Sequence, residues 1–302
     1  MDNLNNILIK LPGEIGKKIE SLPDNVLSSM EEIRIKTGKP IYILSRGIEY
    51  KIESDSGKGI EKEMLQTIFS SILSYSVYAY QEELANGYVT IEGGHRVGIC
   101  GRAVVENQKI KTIKDISSIN IRRSREIIGV SDPCMRFVLK NKQELFNTII
   151  VSPPKCGKTT LLRDMIRNIS HVGLKVGLCD ERSEISGTYN GKAHFNLGSR
   201  TDVLDGCPKE QGMMMLIRSM SPDVIATDEI GKKEDVQGLE AALCAGIHIL
   251  TTIHGTHYED LLNSGIGSLV GENMFQRIIY LSNRPATGSI LSIRDGKNNQ
   301  IF

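Results

Sequence analysis

Downstream of residue 146, short apolar runs alternate with longer stretches of helical spacing. Thr148–Val151, Val176–Cys179, Val224–Thr227, Ile247–Thr252 and Arg277–Leu281 are dominated by aliphatic and β-branched residues. Strands that read this way are buried on both faces, as in a parallel sheet flanked by helices. The pattern predicts βαβ units on a mainly parallel sheet over residues 146–302. Upstream the pattern is mixed. Leu4–Leu22 has helical spacing, and Glu32–Lys36 and Ile41–Leu44 alternate around Gly38-Lys39-Pro40 as a hairpin would. Leu65, Ile68, Phe69, Ile72, Leu73 and Val77 give an amphipathic helix over Met64–Leu84. Gly87–Glu92 and Arg96–Cys100 flank a Gly93-Gly94 turn, and Ser118–Arg122 is a further strand. Residues 1–128 therefore read as a smaller mixed α+β domain. A linker over 129–145, with a helix from Pro133 to Lys140, joins it to an α/β domain over 146–302.

Composition narrows the function classes. Lys+Arg 37 against Asp+Glu 36 gives a net charge of +1, and no aromatic-basic stretch offers a base-stacking platform, so nucleic acid is not an expected partner. The N-terminus lacks the pattern of a secretory signal. The longest uncharged stretch, Met64–Gln81, is too polar to span a bilayer. Cys100, Cys134, Cys156, Cys179, Cys207 and Cys244 contain no Cys-x-x-Cys pair, as expected for reduced thiols in a cytoplasmic protein.

The chemistry gathers at predicted strand ends. Ser152-Pro153-Pro154-Lys155-Cys156-Gly157-Lys158-Thr159-Thr160 follows the first buried strand and opens a helix. A loop of this form cradles phosphates with backbone N–H groups at a helix N-terminus. Lys158 would reach the β- and γ-phosphates of ATP, Thr159 would bind Mg²⁺, and Thr160 would bond the α-phosphate. Ser152 stands where the motif usually begins with glycine. Asp228 and Glu229 end a second strand, Asp228 to hold the metal's hydration shell and Glu229 to act as general base on water. Thr252 and His254 end a third, placed to sense the γ-phosphate. Cys179-Asp180-Glu181-Arg182-Ser183-Glu184 ends a fourth, where the carboxylates, Glu184 among them, would position water or metal or else pair with Arg182.

The order of these motifs, with Leu216-Ile-Arg218 ahead of Pro222-Asp223, resembles the type II/type IV secretion ATPase superfamily. Gly93–Arg102, Thr112–Arg122, Cys179–Glu184 and Thr251–Asp260 resemble more narrowly a family of sporulation proteins of endospore-forming bacteria. The resemblance implies a RecA-like P-loop ATPase core and a homo-hexameric ring whose sites are completed by neighbours. By matched position the arginines implied are Arg102, Arg122, Arg123 and Arg218. It also implies a motor working with membrane proteins of a mother cell–forespore channel, peripheral to that membrane. Two departures stand out. Asp228 replaces the glycine that usually precedes the catalytic glutamate, and the chain ends soon after Arg294-Asp295-Gly296, without room for a C-terminal helical subdomain. Two other readings compete: a nucleotide-gated assembly module with little hydrolysis, and a nucleic-acid translocase.

Overall fold

Apolar spacing over residues 4–22 asks for one helix, but Pro12 has no N–H to contribute to it. A computed structural model describes residues 2–53, 57 and 59–302 and divides the chain into two units, Met1–Arg125 and Glu126–Phe302. In the first unit the predicted helix is two, α1 (Asp2–Leu8) and α2 (Gly13–Glu20), with Pro12 as the N-cap of α2. After α3 (Asp24–Ser29), β1 (Met30–Lys36) and β2 (Ile41–Ser45) form the expected hairpin, and β3 (Ile48–Ile52) extends it.

The helix expected over Met64–Leu84 is α4 (Lys62–Ile72), a 3-10 turn at Val77–Tyr80 and α5 (Gln81–Ala85). Ser74 (φ 48°) and Tyr75 (φ 61°) take left-handed conformations that end α4 although the apolar spacing runs on. Strands β4 (Tyr88–Ile91), β5 (His95–Glu106) and β6 (Lys109–Arg122) complete an antiparallel sheet of order β3-β2-β1-β6-β5-β4. Gly93 and Gly94 make the predicted turn at φ 89° and 71°. Beyond Cys100 the β5–β6 pair is far longer than expected, because its outer part is exposed on both faces and has no apolar alternation to reveal it.

The second unit holds the parallel sheet. Its elements are α6 (Asp132–Val138), β7 (Thr148–Ser152), α7 (Lys158–His171), β8 (Val176–Asp180), β9 (Thr201–Asp205), α8 (Lys209–Met220), β10 (Val224–Thr227), α9 (Lys233–Cys244), β11 (His248–His254), α10 (Tyr258–Leu262), α11 (Gly267–Gly271), β12 (Arg277–Ser282) and β13 (Ser289–Asp295). The strand order is β13-β12-β7-β11-β10-β8-β9, with every neighbouring pair parallel except β12 and β13. Alternate residues of each inner strand enter different cores. Ile150, Leu178, Ala226 and Ile279 join the core of α6 and α7, while Ile149, Val151, Ile225 and Ile278 join that of α8 to α11. Burying each aliphatic side chain contributes about 1.5–3 kcal/mol, and helices on both faces explain the uninterrupted apolar runs. Among the described residues no helix is long and apolar enough to cross a membrane.

Residues 129–145, expected as a linker, are built into this unit. Cys134, Met135 and Val138 of α6 lie in its core. Buried Asp164 of α7 accepts bonds from the N–H of Gly129 (3.1 Å), the N–H and Oγ of Ser131 (2.8 and 2.7 Å) and Nε of Arg167 (2.8 Å). Burial alone would raise this carboxyl, but the bonds from Arg167, Ser131 and Gly129 outweigh it and hold the pKa below the ordinary value. Asp164→Ala strands these donors and should cost about 2–4 kcal/mol, read by chemical denaturation, with a smaller loss in Asp164→Asn.

Candidate functional site

Parallel pairing brings the predicted strand ends onto one edge. His254 lies opposite Ser152, Thr251 opposite Thr227, and Thr227 opposite Cys179. The carboxyl ends of β7, β11, β10 and β8 are therefore adjacent, the usual place for a ligand on such a sheet.

The loop after β7 turns at Lys155 (φ 61°) and Gly157 (φ 87°). A β-carbon on Gly157 would stand 3.0 Å from Gly288 Cα and 3.2 Å from Gly288 N, so glycine is needed for both conformation and space. Leu161 makes the first bond back along α7, to the Gly157 carbonyl, leaving the N–H groups of Lys158–Thr160 directed out of the helix start. Pro153 and Pro154 have no N–H, so the donors available to phosphate begin at Lys155. Thr159 and Thr160 are half-buried beside them. Within the loop Cys156 is buried and joins the core of α6 and α7. Ser152 is buried and has no positive φ, so the absent glycine leaves no strain. Its hydroxyl donates to the Pro153 carbonyl at 2.9 Å.

Lys158 is 6% exposed. Its Nζ donates to the carbonyls of Ser152 (2.9 Å) and Pro153 (3.1 Å), to Ser152 Oγ (3.3 Å) and to His254 Nδ1 (3.1 Å). An ammonium has no acceptor, so Nδ1 accepts and the imidazole proton sits on Nε2. Nε2 then donates to Glu229 Oε1 at 3.2 Å. His254 thus couples the loop lysine to the predicted base. Burial lowers the Lys158 pKa, and the Glu229 charge works against that.

Glu229 is held three ways. Its backbone is left-handed (φ 43°), and its N–H donates to Thr252 Oγ1 at 2.9 Å. Its Oε2 accepts from Arg182 Nη1 at 3.0 Å. The Thr252 hydroxyl, expected to sense phosphate, accepts the Glu229 N–H and so helps to position this residue. Asp180 is fully buried and accepts from the N–H groups of Glu184, Ile185 and Ser186 and from Ser186 Oγ. Glu181 pairs with Lys209. These two carboxylates of the acidic box are occupied by the protein itself. Glu184 remains half-exposed, and its charge contributes to raising Asp228.

Asp228 is 2% exposed and its Oδ1 has no hydrogen-bond partner. Burial first, then the neighbouring Asp180 charge, raises its pKa to about 7, with Lys209 opposing. A buried carboxylate oxygen without a donor fits a hydrated cation at Thr159 and Asp228. Among the described residues no three His, Cys, Asp or Glu side chains form a metal cage.

Arg218 is exposed on the last turn of α8. In the first unit, Arg102 is exposed on β5 and Arg122 ends β6 with Nε 3.9 Å from Glu32 Oε1. Arg123 is committed locally, donating Nη1 to the Leu27 carbonyl at 2.6 Å and its N–H to that of Glu31 at 2.8 Å. The sequence pairs Arg182 only with its neighbouring acids. Its partner Glu229 lies on another strand end, and no local signal reports that pairing.

The family model described as "Sporulation stage III, protein AA" matches residues 2–301. Stage III sporulation protein AA of Bacillus subtilis (strain 168) is 39% identical over 303 residues, covering 98% of this chain and 96% of that protein. Among solved structures, the Legionella pneumophila ATPase DotB has a TM-score of 0.56 at 17% identity, covering 89% of this chain and 76% of that one. The pilus retraction motor PilT with bound ADP has a TM-score of 0.58 at 16% identity, covering 87% and 77%. The expected fold class is the one observed: an α/β RecA-like core with a mainly parallel sheet, preceded by a smaller α+β unit.

A raised carboxylate pKa makes folding take up a proton. The Asp228 cost is absent below about pH 4, grows as pH rises, and is complete above about 7. The stability difference between Asp228→Asn and the parent should therefore favour the variant by roughly 2–4 kcal/mol at pH 8 and shrink toward zero by about pH 4. Denaturation across that range measures it.

Proposed function

This chain belongs to the Sporulation stage III, protein AA family, and on that premise we propose that it is an ATP-hydrolysing motor of the secretion type. The observation that carries the reading is the continuous chain from Lys158 through His254 to Glu229. It joins a phosphate-seeking cation to a carboxylate suited to accept a proton from water. The N–H groups from Lys155 to Thr160 and the Lys158 ammonium bind the phosphates. Mg²⁺, held through the Thr159 hydroxyl and Asp228, would neutralise phosphate charge. Glu229 takes the proton of the attacking water, and His254 Nε2–H fixes the carboxylate that receives it. When Lys158 turns to phosphate oxygens, Nδ1 loses its donor, so His254 responds to the nucleotide's presence.

The same reading places the protein in a homo-hexamer in which Arg218, Arg102 or Arg122 supplies positive charge to a neighbour's site. Its setting is the mother-cell cytoplasm, peripheral to a membrane channel facing the forespore, with membrane proteins as partners. Energising assembly of that channel, or transport through it, is the proposed work. Pro153 and Pro154, which remove two N–H donors from the cradle, support a second reading as a nucleotide-gated assembly module with little hydrolysis.

Purified protein should bind and turn over MgATP. Lys158→Ala should lose both, and Glu229→Gln should keep binding while kcat drops at least about 100-fold. Wild-type turnover in Glu229→Gln would remove the assigned base. Nucleotide binding without turnover in the parent would favour the second reading.

Ser152→Gly tests the departure from the usual loop. It deletes one acceptor of Lys158 and relieves no strain, so steady-state kinetics should show turnover no higher than the parent's.

A further inference from the structure

We propose that Arg182 is a positioning residue for Glu229, and that the loop of residues 181–186 is built to present it. The proposal rests on the reading of Glu229 as the base. The loop is fastened on two sides. Both oxygens of buried Asp180 collect its N–H groups, Oδ1 from Glu184 at 3.1 Å and Oδ2 from Ile185 at 3.1 Å and Ser186 at 2.8 Å. Its carbonyls are taken by Arg163, whose Nε donates to Ile185 at 2.7 Å and whose Nη2 donates to Glu184 at 2.6 Å. Arg163 lies on α7 one turn beyond Thr159, is 6% exposed, and has its guanidinium carbon 3.9 Å from the centre of the Phe195 ring. Ser183 accepts a left-handed φ of 54° within this clamp.

The fastened loop presents Arg182 to Glu229. Arg182 Nη1 stands 3.0 Å from Glu229 Oε2, while His254 Nε2 stands 3.2 Å from Oε1. The carboxylate is thereby fixed at both oxygens, by groups from β11 and from the loop after β8. The Arg182 side chain is 49% exposed, so the pair adds little to folding stability. Its consequence lies in orientation, where a misplacement of about 1 Å is enough to cost on the order of 100-fold in rate. Arg163 extends the arrangement, because the helix that carries the phosphate loop also holds the loop that aims the base.

Arg182→Ala should lower kcat about tenfold or more with KM for ATP within about twofold, and leave the melting temperature unchanged. Arg182→Lys should recover part of the loss, since the observed contact is a single N–H donor. In a Glu229→Gln background the same Arg182→Ala change should have no further effect, as a double-mutant cycle measures directly. A crystal structure of Arg182→Ala, independent of turnover, should show the Glu229 carboxylate displaced from His254. An unchanged or raised kcat, a loss confined to KM, an equal loss in the Glu229→Gln background, or an unmoved Glu229 side chain would each overturn the proposal. Normal turnover in Glu229→Gln alone would instead sink the reading of the base.

Discussion

Everything at the polar edge of the sheet depends on the parallel hydrogen-bonded pairing of β7 with β11 and of β10 with its two neighbours. That register sets His254 opposite Ser152 and Thr227 opposite both Thr251 and Cys179. A slip of one residue would turn each strand's side chains to the other face. Since the sheet is covered on both faces, a slip would exchange residues between two packed cores. Packing therefore protects a geometry that the polar groups could not hold unaided.

Within that frame the polar edge is ordered by a division of labour. Asp180, Thr252 and Arg163 are buried and spend their hydrogen bonds on backbone groups, giving the loops one shape. Lys158, His254 and Glu229 form a more open chain, with His254 and Glu229 partly exposed and able to change partners. Asp228 lies between these classes, buried like the first but with an oxygen left unpaired. Burying a carboxylate this way is costly, and the cost is compatible with a site that gains a cation in use.

The parallel sheet, the glycine-lysine loop after β7, the adjacent acids after β10 and the histidine after β11 were all legible along the chain. Each is a local pattern: an apolar run of strand length, a glycine at a turn, or polar residues that stop the run. The departures have separate causes. Pro12, Ser74 and Tyr75 break helices through backbone conformation, which apolar spacing does not report. The outer β5–β6 ribbon is exposed and carries no apolar alternation, whereas the segment around α6 owes its burial to core residues far along the chain.

Family and fold class were thus contained in the sequence, because motif order and hydrophobic period survive without knowledge of contacts. The roles inside the acidic box were decided by tertiary structure alone. Asp180, Glu181 and Glu184 carry equivalent carboxylates on one short segment, yet one staples a loop, one pairs with Lys209 and one stays half-exposed. Arg182 finds Glu229 from 47 residues away. Nothing local separates these side chains. Burial and the neighbours supplied by other strands set which hydrogen bonds each can make, and only the folded sheet edge determines them.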